Sequence, residues 1–166
     1  MSGDGHWREM RMDDVASVFS LAERVHPTFP ETIAIYPDRM ALYPMGCIVL
    51  DDGQHIVGYG LAYPARLHAP PPLGTVLGAL SVEADALYVH DVAVAPEWRG
   101  RGQADAGIAR LLALPEASCL AMLVSVYGTS RFWTRFGFVD ETTAILPEKL
   151  ASYGEGARYM VRRTAA

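Results

Sequence analysis

Cysteine is scarce in this chain of 166 residues: Cys47 and Cys119 are the whole complement, each in an apolar run and neither at metal-ligand spacing with another Cys or a His. That excludes a disulfide framework and a zinc module, and no metal is expected. Both thiols are read as reduced core residues. No uninterrupted apolar stretch is long enough to cross a bilayer, and the polar start from Met1 to Met10 lacks the apolar centre of a secretory signal. The cytoplasm is the expected location. Blocks of like charge are missing as well: 14 basic and 19 acidic residues leave a net charge of -5, which argues against nucleic acid or an anionic membrane as partner. With no internal repeat or low-complexity tract, and with 51% hydrophobic side chains, residues 1–166 read as one domain with a sizeable core.

The charge that is present is unevenly spread. Residues 1–95 hold 5 basic and 12 acidic side chains, whereas residues 96–139 hold 5 and 3, so one short segment is locally cationic. Along the chain, Asp13 opens a run in which Val15, Val18, Phe19, Ala22 and Val25 recur at helical spacing before Pro27. Residues 27–44 carry four prolines and predict a short broken helix with loops that cover a pocket. Cys47–Leu50 and Ile56–Tyr63 flank Asp51-Asp52-Gly53 and predict a β-hairpin closed by Pro64. Residues 65–82, with Pro70-Pro71-Pro72, read as a long loop. Ala86–Ala95, nearly continuously apolar around His90 and Asp91, suits a central strand. A helix over Gln103–Leu114 and a strand over Leu120–Val126 follow, which implies a parallel crossover. Ser130 is placed as the cap of a short helix through Phe136, Gly137 as its left-handed exit, and Val161 marks a last strand over residues 158–163.

The most informative segment is Val92-Ala93-Val94-Ala95-Pro96-Glu97-Trp98-Arg99-Gly100-Arg101-Gly102-Gln103-Ala104, where a buried strand passes through glycines into a helix. Such a turn gathers unpaired backbone N–H groups at a positive helix end and accommodates a pyrophosphate. Arg99 and Arg101 add formal charge. A dinucleotide fingerprint is excluded because Asp105 stands where its third glycine would be, and a Walker loop because its lysine is missing.

Arg99, Gly102 and Ala104 fit R-x-x-G-x-A between a strand and a helix, which resembles the acyl-CoA signature of the GCN5-related N-acetyltransferase (GNAT) superfamily. Phe132-Trp133-Thr134-Arg135-Phe136-Gly137-Phe138 resembles the second motif of that family, so the likeness spans about residues 86–140 and is weaker before them. It implies an α/β fold with a mixed sheet of about seven strands, flanked by about four helices and splayed between the strands at 86–95 and 119–126. It also implies acetyl-CoA as cosubstrate: the backbone of Val92, Ala93 and Val94 on the pantetheine arm, Arg99 and Gly100 with the amides of Arg101, Gly102, Gln103 and Ala104 on the pyrophosphate, and Trp133 against the donor. Many relatives pair as homodimers, although no residue here argues for one.

Direct transfer of acetyl to an amine needs a base for the ammonium and benefits from an acid for the thiolate. His90 lies two residues before Val92 and is the candidate base. In a regular strand Asp91 faces the other way, with a structural role, and Glu83 and Asp85 are weaker candidates for ordering water. Trp133 occupies the position where the family usually has an acidic tyrosine, so Tyr127 is the candidate substitute. Tyr36, Tyr43, Tyr59 and Tyr63 are read as core and hairpin-face residues. The expected activity is acetyl transfer from acetyl-CoA to a primary amine of a small molecule or a protein. The acidic amino-terminal portion favours a cationic acceptor. The alternative is an acyl-CoA sensor or partner domain that has lost chemistry, and a third reading is a scaffold with no cosubstrate.

Overall fold

In the computed structural model, which describes residues 4–164, the periodic segments fold as expected and one additional strand appears. The start from Met1 to Met10 is described only from residue 4 onward. Seven strands form one mixed sheet: β1 (His6–Glu9), β2 (Cys47–Asp51), β3 (Ile56–Ala65), β4 (Ala86–Val94), β5 (Leu120–Ser125), β6 (Val139–Asp140) and β7 (Arg158–Arg163). Their order is β1-β2-β3-β4-β5-β7-β6, and β4 with β5 is the parallel pair. Four α-helices are described, α1 (Val15–Val25), α2 (Ile35–Leu42), α3 (Gln103–Leu112) and α4 (Ser130–Thr134).

The sheet is covered on both faces. Cys47 and Val49 share a cluster with Val18 and Leu21 of α1 and Ile35 and Tyr36 of α2. Ile48, one residue out of phase, packs on the side of Leu111 of α3. Alternation along β2 therefore serves two helical layers at once. In α2, Pro37 sits within the first turn, where its missing N–H breaks no helical bond.

Several expectations need correction. Pro64 does not close the hairpin; β3 runs on to Ala65, with Pro64 opposite Leu87. Its ring is tolerated because the ladder with β2 has already ended at Leu61, so one edge of β3 is unpaired there. Cys119 is exposed, because it lies in the turn before β5, whereas Cys47 is buried as expected. Ser130 is the first helical residue and Thr129 takes the cap position. β1 has little apolar alternation and owes its place to tertiary bonds: Trp7 Nε1 donates to the Gln103 carbonyl at 2.9 Å, and Arg8 pairs with Asp14 and Asp51.

The consequential irregularity is in β4. Leu61 pairs with Asp91 but Ala62 pairs with Val89, so His90 is an extra residue in a β-bulge. A bulge breaks the two-residue alternation. Asp91 therefore does not face away from His90, and both side chains line one cavity. On the other edge of β4 the ladder to β5 covers only Leu87–Val89 against Ala121–Leu123. Beyond it the strands diverge, which is the splay expected from the family likeness.

Candidate functional site

Two features meet in the gap between the diverging strands. The first is the turn into α3. Gly100 and Gly102 have φ of +78° and +74°, the left-handed region that glycine enters without strain, and a Cβ built on either meets nothing within 4 Å. Gly102 is the residue before the first turn of α3, and no side chain caps that end. The first bond within the helix is Ala106 N–H to the Gly102 carbonyl, so the amides of Gln103, Ala104 and Asp105 have no acceptor inside the helix. A groove of about 400 Å³ opens in front of them, lined among others by Val94, Arg99, Gln103, Ala104, Phe132 and Arg135. Arg135 pairs with Asp105 at 2.7 Å, so the one acidic residue at the cradle is already neutralised. The donor set of bare amides, a helix dipole and Arg99 suits a pyrophosphate.

Not every expected contact faces this groove. Arg101 turns back onto the ring of Trp98, 4.5 Å from its centroid, and donates to the Glu97 carbonyl. Trp133 also departs from expectation. It packs edge-on against Phe138 with ring centroids 5.7 Å apart, while Phe132 and Arg135, three residues apart on the helical turn, face the groove. The main chain of Val92, Ala93 and Val94 pairs with Gly60, Tyr59 and Gly58 of β3 and, among the described residues, has no strand on its other edge.

The second feature is a cluster of imidazoles and carboxylates. A small cavity of about 40 Å³ lies between β4, the end of β5 and the loop after α1, with His26, Glu31, His90 and Asp91 beside Phe29, Leu73, Val124, Val126 and Tyr153. His90 Nε2 is 2.7 Å from Glu31 Oε1, and Nδ1 is 3.4 Å from the Tyr63 hydroxyl. Its side chain is 2% exposed. Glu31 also accepts the Gly74 amide at 2.7 Å. Burial pushes the Glu31 carboxyl up, but His90 and that amide outweigh it and hold its pKa below the ordinary value.

Asp91 is held from two sides: Tyr59 donates to Oδ2 at 2.5 Å and His26 Nε2 lies 3.1 Å from Oδ1. Burial raises the Asp91 pKa, but those partners dominate and leave it depressed. For His26 the balance runs the other way. Burial disfavours its imidazolium, but the hydrogen bond and charge of Asp91 prevail and raise its pKa. Tyr127 stacks on His26 with rings 5.7 Å apart and 3° from parallel, its hydroxyl 3.4 Å from Nδ1. Burial and the charge of Asp91 raise its pKa, so it remains a neutral phenol near neutrality.

Of the sequence-predicted pair, His90 lines the cavity, while Tyr127 stands outside its lining and reaches it through the ring of His26. Glu83 and Asp85 do not join them: Glu83 pairs with Arg66, and Asp85 accepts the Leu67 amide. His26 and Glu31 are absent from the sequence-derived set. Tyr59 and Tyr63 are buried as expected, but their hydroxyls hold Asp91 and His90 rather than merely filling the core. The available signal was the placement of Glu31 in the Pro-rich segment 27–44 expected to wall a pocket, with His26 immediately before it.

The GNAT family model matches residues 12–138, which include both the cradle and this cluster. The chain belongs to the acetyltransferase (GNAT) family. No curated protein matches it in sequence. Among solved structures, Ard1 from Thermoplasma volcanium is similar with a TM-score of 0.71 at 18% identity, over 98% of this chain and 99% of that one. Arabidopsis thaliana Naa50, solved with the bisubstrate analogue CoA-Ac-MVNAL, gives 0.67 at 12% identity, over 97% and 99%. The diaminobutyrate acetyltransferase EctA from Paenibacillus lautus, solved with L-2,4-diaminobutyric acid and coenzyme A, gives 0.69 at 14% identity, over 97% and 95%. These likenesses establish the GNAT fold.

A larger groove, about 860 Å³, lies elsewhere, between α1 and the β2–β3 hairpin. Its principal charges are paired with one another, Arg8 with Asp14 and Asp51 and Arg24 with Glu97. It offers no counterpart of the GNAT cradle.

Proposed function

We propose that this GNAT chain transfers an acetyl group from acetyl-CoA directly to a primary amine. The observation that carries the reading is that β4, past the end of its ladder to β5, contributes Val94 to the pyrophosphate cradle and His90 and Asp91 to the cluster of imidazoles and carboxylates. The amides of Gln103 and Ala104, with Arg99, bind the pyrophosphate. The unpaired edge of Val92–Val94 offers main-chain donors and acceptors to the pantetheine amides, in the manner of an added strand.

The acceptor reaches the acetyl group from the side of Glu31 and Asp91. Two depressed carboxylates attract its ammonium, and Phe29, Leu73, Val124 and Val126 receive its apolar stem. Once the amine is neutral, its lone pair attacks the thioester carbon; the C–N bond forms, the C–S bond breaks, and the thiolate leaves. Of the two protons lost by the ammonium, one goes to the base and on to water, and the other ends on sulfur. Tyr127, whose hydroxyl lies beside His26, is suited to deliver that second proton, since Trp133 has none.

Incubation with acetyl-CoA and a pool of polyamines, arylalkylamines, amino acids, aminoglycosides and peptides, followed by mass spectrometry, tests the reading. A product heavier by one acetyl group is expected. Acetyl-CoA binding without any product would instead favour the sensor reading, which Trp133 at the tyrosine position motivates.

A further inference from the structure

The cluster holds two imidazoles, and they differ in what surrounds them. His90 is 2% exposed, with Nε2 on Glu31 and Nδ1 directed at the Tyr63 hydroxyl. His26 is 22% exposed, with Nε2 on Asp91 and Nδ1 directed toward Tyr127, which is itself 53% exposed. One ring is sealed inside the fold. The other reaches from a buried carboxylate to the mouth of the cavity.

Resting on the acetyltransfer reading, we propose that His26 is the catalytic base, with Asp91 and Tyr59 as positioning residues that fix its ring. Asp91 accepts from Nε2–H, which leaves the Nδ1 lone pair for the acceptor ammonium. Tyr59, donating to the other oxygen of Asp91, sets the rotamer of the carboxylate. The ammonium gives one proton to Nδ1, its nitrogen attacks the thioester, and the imidazolium releases that proton to water at the exposed mouth. His90 and Glu31 wall the cavity, with the His90 side chain sealed from solvent.

The local fold supports this assignment. His26 follows the last residue of α1, its amide bonded to the Ala22 carbonyl at 2.8 Å, and Pro27 stops the helix from continuing. A helix C-terminus favours an imidazolium. The charged and titratable groups around the ring are Asp91 from β4, Tyr59 from β3 and Glu23 from α1, which line a pocket with it, Tyr127 from the turn after β5, Glu31 from the loop after α1, and Arg99 beyond β4, whose charge opposes protonation. Burial and Arg99 disfavour the imidazolium, but the hydrogen bond and charge of Asp91 and the charge of Glu31 outweigh them and keep His26 protonated to higher pH than a free imidazole. The base form therefore appears, and turnover rises, above the ordinary histidine range.

The test compares pH–rate profiles of wild type, His26→Gln and His90→Gln, reading CoA thiol released from acetyl-CoA with the amine pool, with Kd for CoA as the control for folding. His26→Gln is expected to lower kcat by about a hundredfold or more, to remove the limb near neutrality, and to leave the Kd for CoA unchanged. His90→Gln is expected to retain the wild-type midpoint. His26→Ala should recover activity with added imidazole. Imidazole NMR of the free protein should show the His26 titration falling toward its ordinary value in Asp91→Asn. A His26→Gln enzyme with the wild-type profile, or a His26→Ala enzyme not rescued by imidazole, overturns the assignment while leaving acetyltransfer intact. A wild type that binds CoA but releases no thiol overturns both.

Discussion

At Gly102, backbone conformation and charge act together. Its φ of +74° is accessible to glycine without cost, and no neighbouring atom lies within 4 Å of a Cβ placed there. Gly102→Glu forces an L side chain into that left-handed conformation, a strain of about 1–2 kcal/mol, and points a carboxylate into the cradle. Two like charges about 4 Å apart near a surface repel by about 4 kcal/mol, so CoA affinity should fall by about a thousandfold. Calorimetric titration of the folded variant checks this, and unchanged affinity would contradict the cradle. A second residue-scale prediction concerns Tyr59. Tyr59→Phe takes one of the two donors from the buried end of Asp91, and should cost about 1–3 kcal/mol in urea unfolding. The cradle was legible from the sequence because glycines, arginines and a helix start lie in one contiguous run. His26 was not, because its partners Asp91 and Tyr127 are 65 and 101 residues away.

At the scale of elements, the strands with a clear apolar pattern were readable, and those defined by tertiary bonds were not. β1 is the example: its register follows from Arg8, which bridges Asp14 and Asp51 at 2.8 and 3.0 Å. The Arg8 guanidinium holds the Asp14 carboxyl below its ordinary value, and the Gly53 amide together with Arg8 does the same for Asp51. Depressed folded-state values mean that this stabilisation is complete above the unfolded carboxylate range, near pH 4, and is lost as pH falls through the folded values. Arg8→Ala should lower stability at pH 7 by about 1–3 kcal/mol. Its urea midpoint should then fall less steeply with acid than that of wild type. At the entry to β2, a Cβ on Gly46 would stand 1.8 Å from the Ala62 carbonyl oxygen. Gly46→Ala should destabilise by about 3 kcal/mol, seen as a lowered Tm, because main chain has to move. The bulge at His90 was equally hidden. Nothing in Tyr88-Val89-His90-Asp91-Val92 marks an extra residue, yet it decides that His90 and Asp91 share a cavity.

On the scale of the whole molecule, the fold makes its site by failing to continue a ladder. β4 and β5 pair over three residues and then part, leaving one open edge, a helix N-terminus at one end of the gap and paired imidazoles and carboxylates at the other. The order of elements and the two GNAT motifs made this architecture readable from residues 86–140, whereas residues 27–44 read only as a pocket cover, and the part taken by His26 and Glu31 emerged from folding. The most direct test is amide hydrogen exchange of the full chain with and without acetyl-CoA. The amides at 103–105 have no acceptor within α3 and should exchange fast in the free protein. Acetyl-CoA should slow them, together with residues 92–94 and 124–127. Protection confined to the groove between α1 and residues 51–57, with 103–105 unchanged, would contradict the account.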